Sequence, residues 1–502
     1  MHILSRSHAW PILGPAQVRQ LEPALQALCA APLMQNAGLA CARLALAVAP
    51  HARRIWVAAG PGNNGGDGLE AALHLHQWGK EVLVSLIPSA GPGPADAQVA
   101  LQRAQQAGVR IQSGVPTEWL QQMDPQDLCI DALLGIGATR PLSAGLRACA
   151  EAMQKGQSPV LAIDVPTGLN PQSGQWLSGD KDNSGDLLTV QADHTLCLIA
   201  VPAGLLMGHG RDASGQIWLE DLGYRSNHHN IPPLAWLNAP RAAAPKTHAS
   251  HKGSHGDVAV IGGEGMATKG MAMSGAAILA ATAALHAGAG RVILSLLSGQ
   301  ASDSVPADVM QREFKRLELE QLYVVCGCGG GTAVQAVLPK VLQRSAQLVL
   351  DADGLNAVAQ DTSWQNALRQ RAVHMASHHT VITPHPLEAA RLLGCTTQQV
   401  QDDRLKAAQE LAERFQCSVV LKGSGTVIAA PGHTPRINIT GNGRLAIGGT
   451  GDVLAGLVGA RMAQGLGAFD AACAAVAQHG QVADDWPSGE ALTASRLAQS
   501  LV

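Results

Sequence analysis

The sequence predicts an α/β protein built from two doubly wound units in tandem, and three observations predict it. Short, β-branched apolar runs alternate with segments of helical periodicity, the pattern of a mostly parallel sheet with helices on its faces. The alternation breaks once, around residues 225–246, and then restarts. Gly, Asn and Asp gather just after several apolar runs, where open α/β sheets place their ligands. The 502 residues are enough for about two to four domains.

In the first half, "RIWVAAG" (54–60) reads as a strand, "DGLEAALHLHQWG" (67–79) as a helix and "EVLVSLI" (81–87) as a strand. A helix at 95–108 follows, then strands at 128–135, 159–166 and 194–201. Residues 226–246, rich in Pro, Asn and His without periodicity, predict a linker between domains at 1–225 and 247–502. Beyond it, strands are expected at 256–263, 291–297, 322–329 and 347–354, and a hairpin at 418–432 around Gly-Ser-Gly. Ala-rich helices are expected at 274–288 and 452–464. Neither half shows a short internal repeat.

Composition narrows the function. Hydrophobic residues make up 46% and aromatics only 3%, which suits close packing of helices on sheets. A net charge of −3 gives no electrostatic case for a nucleic-acid or membrane partner. "MHILSRSHAWPILG" lacks the apolar core of a signal peptide. The uncharged run from Gly270 to Gly290 reads as a buried helix rather than a membrane span. Ten scattered cysteines argue against a disulfide framework or a zinc site, and Cys326 and Cys328 read as small core residues. The histidines, including "NHHN" and "SHH", lack ligand spacing and read as surface positions. A soluble cytoplasmic protein is the expectation.

Candidate chemistry sits after the strands. "GPGNNGGDG" (60–68) on a strand-to-helix turn is not the dinucleotide fingerprint GxGxxG, but it suits an anion cradle with two side-chain amides. Asp131 and Asp164 end neighbouring strands, where two carboxylates can hold a cation or move a proton; a lone Asp there is as well read as a cap. In the second half, Lys422 in "KGSG" is either a solvated charge on an exposed turn or a phosphate ligand. His385 lies between two prolines, which fix its backbone or merely end an element. Asp452, in "IGGTGDVLAG", is either the N-cap of a helix after a glycine turn or a base beside a phosphate held by helix N–H groups.

These motifs resemble a known pair of domains. "NNGGDG" (63–68), "DALLGIGATRPL" (131–142) and "DVPTG" (164–168) are similar to the NAD(P)H-hydrate epimerase domain. "TPHPLE" (383–388), "KGSGT" (422–426) and "NGRLAIGGTGDVLAG" (442–456) resemble the ADP-dependent NAD(P)H-hydrate dehydratases, which have a ribokinase-like fold. The order of the two resembles the bifunctional nicotinamide-nucleotide repair proteins of bacteria. The resemblance implies a Rossmann-like epimerase domain that interconverts the R and S hydrates of NADH and NADPH. It further implies a dehydratase that uses ADP to phosphorylate the S-hydrate and releases AMP and phosphate.

Residue by residue, the resemblance implies that Asn63, Asn64, Gly65, Gly66 and Asp67, with Gly135, Ile136, Gly137, Ala138, Thr139, Arg140 and Pro141, line the epimerase hydrate site. Asn64, Asp131 and Thr167 would hold potassium and Asp164 would contact the hydrate, although Asp67, Asp131 and Asp164 all remain open as the proton carrier. In the dehydratase, Ala276, Gly329 and His385 would contact the hydrate, and Lys422, Gly423, Ser424, Gly425, Thr426 and Gly451 would hold the adenine nucleotide. Asp452 would be the base. Magnesium is expected to offset phosphate charge, with Asp351 and Asp353 as the nearby acids. A homo-oligomer is expected.

The chain departs from the family pattern at four places. Cys328 stands where proline is usual, Leu387 where glycine is usual and Gln35 where glutamate is common, and 200–206 lacks a lysine before Gly204. Two rivals stand beside this reading: a ribokinase-like kinase for a small alcohol, which leaves the first domain unexplained, and a first domain kept as a binding scaffold, which has no need of strand-end acids.

Overall fold

A computed structural model of the chain describes residues 1–88, 91, 93–177, 189–224, 231–239, 248–266, 270–374 and 379–501. It contains two units, one carrying most of Met1–Ala235 and the other most of Trp236–Val502. The sheet of the first unit runs His2–Ile3, Gln216–Glu220, His194–Leu198, Val160–Ile163, Leu128–Ala132, Arg54–Ala59, Glu81–Leu86, Arg110–Ser113. Every neighbouring pair is parallel except the first. The chain leaves Arg54–Ala59 toward one edge and returns to Leu128–Ala132 on its other side. Strand order therefore reverses between these two, and a crevice opens at their carboxyl ends.

Alternation along Arg54–Ala59 shows why the sheet is buried on both faces. Ile55, Val57 and Ala59 pack with Leu44, Leu75 and Val84 on one side, and Trp56 and Ala58 with Leu83, Leu146 and Met153 on the other. One expectation changes here. The helix begins at Asn63, not at residue 67, and runs to Gln77. Its glycines are packing glycines: a Cβ on Gly68 would lie 2.4 Å from Ala132 and one on Gly65 would lie 2.0 Å from the Gly60 carbonyl. They let the helix approach the sheet rather than loosen a turn. The strands at Leu128–Ala132 and Val160–Ile163 also stop earlier than their apolar runs.

The sheet of the second unit runs Met310–Gln311, Arg291–Leu296, Asp257–Gly262, Tyr323–Cys326, Gln347–Leu350, His379–Ile382, Ser418–Leu421, Thr426–Ala430, His433–Asn438, Ala235–Leu237. It is parallel as far as Ser418–Leu421, antiparallel through the two hairpins, and parallel again at its last pair. Helices Ser274–His286 and Thr450–Ala463 cover one face over Val258, Val325 and Val349. Small residues set their spacing, since a Cβ on Gly456 would lie 2.0 Å from the Ala280 carbonyl.

Of the expected linker, 226–230 and 240–246 lie outside the described residues. Between them Ala235–Leu237 is a strand, too short to show periodicity, and Asn238 anchors it by donating to Asn438 Oδ1 (3.1 Å) and the Cys473 carbonyl (2.9 Å).

Candidate active sites in the two units

The crevice of the first unit collects its candidate acids. Asp131 is fully buried; its carboxylate accepts the Thr167 N–H and hydroxyl, each at 2.8 Å, and the Leu133 N–H at 3.2 Å. Burial nevertheless lifts its pKa to about 6. Thr167 Oγ1 accepts the Leu134 N–H (3.2 Å), tying this pair to the loop that begins at Gly135. Asp164 follows its strand with φ +64, the left-handed region that Asp tolerates better than most residues. Its carboxylate accepts N–H groups of Ile136 and Leu198, and burial lifts it to about 7. A Cβ on Gly135 would lie 2.7 Å from Asp164 Oδ2 and 3.2 Å from the Asn64 side chain, so the three meet at one point.

Asn64, 7% exposed, has neither amide atom hydrogen-bonded among the described residues. Leaving such a group unmet costs about 1–3 kcal/mol, which marks a place for a ligand. Asp67 is buried nearby, pushed well up by burial and then by the charges of Asp164, Glu22 and Glu70. Ala138 is buried and its N–H closes a turn on the Gly135 carbonyl at 3.0 Å, while Gly137, Thr139, Arg140 and Pro141 are exposed. The structure thus joins Asn64, Gly135, Ile136 and Asp164, and links them through Leu134 to Asp131 and Thr167.

In the second unit, four adjacent parallel strands deliver the site from their carboxyl ends. Tyr323–Cys326 leads to Cys328 and Gly329, Gln347–Leu350 to Asp351, His379–Ile382 to His385 and Ser418–Leu421 to Lys422. The turn is exposed at Gly423 and Ser424, but Lys422 is not a solvated charge. Its side chain is 18% exposed and turned inward, with Nζ 2.6 Å from Asp351 Oδ1 and 4.0 Å from Glu388 Oε2. Burial pushes its pKa down, but Asp351 and Glu388 together leave it raised. A Cβ on Gly451 would lie 3.4 Å from Lys422 Nζ, which brings the helix Thr450–Ala463 over the pair.

Asp452 lies in the first turn of that helix, after Gly449 at φ +92 and an exposed Gly448 whose missing Cβ faces open space. Asp452 does not cap the helix. Its carboxylate, Asp351 and the Cys328 thiol have donor atoms within 4.8 Å of one another. Burial and then the Asp351 charge lift Asp452 to about 6, while a hydrogen bond from Cys328 and the charge of Lys422 pull it down. Cys328 is buried, as expected of a core residue, but it also faces this carboxylate. Gly329 and Ala276 meet, a Cβ on the glycine lying 2.9 Å from Ala276 Cβ.

His385 is the N-cap of Pro386–Leu393: its Nδ1 accepts the N–H groups of Leu387 (3.2 Å) and Glu388 (3.3 Å). Nε2 therefore carries the proton and faces Glu388 Oε1 at 3.2 Å. Burial, then the Lys422 charge, lower its pKa. Glu388, lifted by burial to about 7, was not singled out from sequence, although Glu three residues after an N-cap is a readable signal. His479 corrects the surface reading of the histidines. It is buried, lowered to about 4 by burial, and holds the Thr450 carbonyl at 2.9 Å. "NHHN" and most of "SHH" lie outside the described residues.

Acids buried at the carboxyl ends of parallel strands in each of two α/β units, one set joined to a lysine beneath a helix N-terminus, define a two-site α/β enzyme. A family model described as YjeF-related protein N-terminus matches residues 30–204, and one described as NAD(P)H-hydrate dehydratase matches 258–502. The bifunctional NAD(P)H-hydrate repair enzyme of Escherichia coli (strain K12) is 34% identical over 465 residues, covering 90% of this chain and 84% of that one. The Leishmania braziliensis enzyme of the same description is 32% identical over 517 residues, covering 95% and 89%. A solved structure of the Bacillus subtilis ADP/ATP-dependent NAD(P)H-hydrate dehydratase, co-crystallised with ATP/Mg2+, is 29% identical, with TM-score 0.41 and coverage of 51% and 91%. The chain belongs to the family of bifunctional NAD(P)H-hydrate repair enzymes.

Proposed function

We propose that the protein repairs hydrated NADH and NADPH by interconverting the R and S hydrates in its first unit and dehydrating the S form in its second, with ADP converted to AMP and phosphate. The observation that carries the reading is the grouping of Lys422, Asp351, Cys328, Gly451 and Asp452 under one helix N-terminus. Asp452, beside the N–H groups that open its helix, takes the proton of the ring hydroxyl as its oxygen attacks the ADP phosphorus. The bond to the terminal phosphorus forms and AMP leaves; phosphate then departs with the C–O electron pair while the adjacent ring carbon gives up a proton, which restores the double bond. Lys422 and the turn Gly423, Ser424, Gly425 and Thr426, with Gly451, hold the nucleotide. Ala276, Gly329 and His385 hold the hydrate.

Magnesium enters with the nucleotide, since Mg2+ is commonly bound through substrate phosphates. The nearby acids make no ready cage for it: Asp351 is held by Lys422, and Asp353 Oδ2 accepts the Gly331 N–H at 2.8 Å. Potassium suits the first unit, where Asn64 presents an unmet buried amide. Asn64, Asp131 and Thr167 would hold it, and it would supply positive charge against the buried carboxylates. Asp164, with a pKa of about 7, gives and takes the proton as the ring C–O bond breaks and water returns to the other face. Asn63, Asn64, Gly65, Gly66 and Asp67 with 135–141 line this site. The enzyme acts in the cytoplasm as a homo-oligomer; its cysteines are free thiols, which fits a reducing compartment.

The test mixes the purified protein with both NADH-hydrate epimers, magnesium, potassium and ADP, and follows NADH absorbance. Complete conversion supports both activities. A halt near the midpoint removes the epimerase from the proposal, and no NADH at all removes the dehydratase.

A further inference from the structure

Beneath the turn Lys422–Gly425 lies a buried cation that the reaction leaves unused. Arg404, which opens the helix Arg404–Phe415, is 1% exposed, and no carboxylate is among its partners in the described residues. Its Nη2 donates to the carbonyls of Leu421 at 3.1 Å, Lys422 at 3.2 Å and Gly425 at 3.5 Å, and its Nη1 donates to Gln401 Oε1 at 2.7 Å. Arginine is seldom fully buried without an acid. Burial lowers its pKa to about 10, so the side chain stays charged near neutrality.

The carbonyls it gathers all belong to the turn and its flanks, and that has a geometric consequence. No peptide bond here is cis, and the C=O and N–H of a trans peptide point in opposite directions. Drawing the Lys422 carbonyl onto Arg404 therefore turns the Gly423 N–H away from it, toward the outer face of the turn. Gly423 has φ +140, and a Cβ there would lie 3.0 Å from the guanidinium. Glycine suits this backbone, and a side chain there would press against the arginine.

We propose that Arg404 is the positioning residue of the nucleotide loop: it holds three carbonyls inward, so that the Gly423 amide faces the ADP phosphates above a fixed positive charge. This rests on the reading of residues 422–426 as the nucleotide loop. Arg404 touches no reacting atom; it acts through the backbone.

The test uses the full chain and its Arg404→Met and Arg404→Lys variants. ADP binding is measured by calorimetry, and dehydration is measured with ADP and hydrate varied separately. Arg404→Met removes the charge-assisted hydrogen bonds that hold the loop carbonyls, and should raise the Kd and KM for ADP roughly tenfold. The KM for hydrate and the epimerisation rate should stay unchanged, and Arg404→Lys should fall between. Wild-type ADP affinity in Arg404→Met overturns the proposal, and so does a parallel rise in the KM for hydrate, which marks a generally loosened unit. If Arg404→Met does not fold, Arg404→Lys carries the same comparison: a selective rise in the ADP terms supports the role and unchanged terms overturn it. Failure of the unmutated protein to bind ADP overturns the nucleotide reading itself.

Discussion

The two units treat buried charge in opposite ways. In the first, Asp67 and Asp131 are buried and Asp164 is half-buried, and none of the ion pairs among the described residues involves them. Asp131 and Asp164 are answered by backbone N–H groups and one hydroxyl, and an idle amide stands at Asn64. In the second, the acids close on Lys422, with the cation Arg404 beneath the next turn. The first arrangement holds no cation of its own and suits a ligand that brings positive charge, whereas the second carries a lysine that a negatively charged ligand can meet. The same topology, with acids at the carboxyl ends of strands, serves both because side-chain partners decide the sign.

The sharpest way to test this separation is Asp452→Asn. Loss of a general base should cut dehydration by roughly 10²–10⁴-fold while epimerisation continues at the wild-type rate. A folded variant that loses both activities breaks the two-site account. Lys422→Met comes next, because it leaves Asp351, 1% exposed on its side chain, as a buried charge without its partner. Breaking such a pair costs about 3 kcal/mol, so melting of the second unit should fall while that of the first is unmoved.

pH should divide the units more gently. Asp452 must be ionised to take a proton, so dehydration should decline as pH falls through about 6. The epimerisation profile should instead bend near 7, where Asp164 changes charge. Coincident limbs in the two assays would remove the distinction. The smallest effect belongs to Cys328→Ala. The thiol's hydrogen bond holds Asp452 down, so its removal should move the acid limb of dehydration to slightly higher pH, and Cys328→Ser should restore it.

What the sequence made legible follows from the kind of signal each feature leaves. Strand runs and glycine motifs are local, and both sheets and most of the strand-end residues were readable for that reason. Asp452 is where a helix beginning at Thr450 puts it, and Asn64, Gly135 and Asp164 meet as their motifs suggested. The start of the helix at Asn63 was obscured because consecutive glycines read as a turn, and only the closeness of Ala132 and Gly60 explains them. The burial of Lys422 depends on Asp351, 71 positions away in sequence, and no local pattern shows it. Arg404 was invisible for the same reason: in a helix of Arg, Lys and Glu it looks like any solvated charge.

The backbone at Asp164 carries a consequence for which amino acid can occupy the position. At φ +64 only glycine is at ease, and Asp and Asn are the side chains most often tolerated. Glutamate offers the same functional group but not the same local accommodation. The choice between the two natural acids is thus made by the main chain, before any substrate arrives.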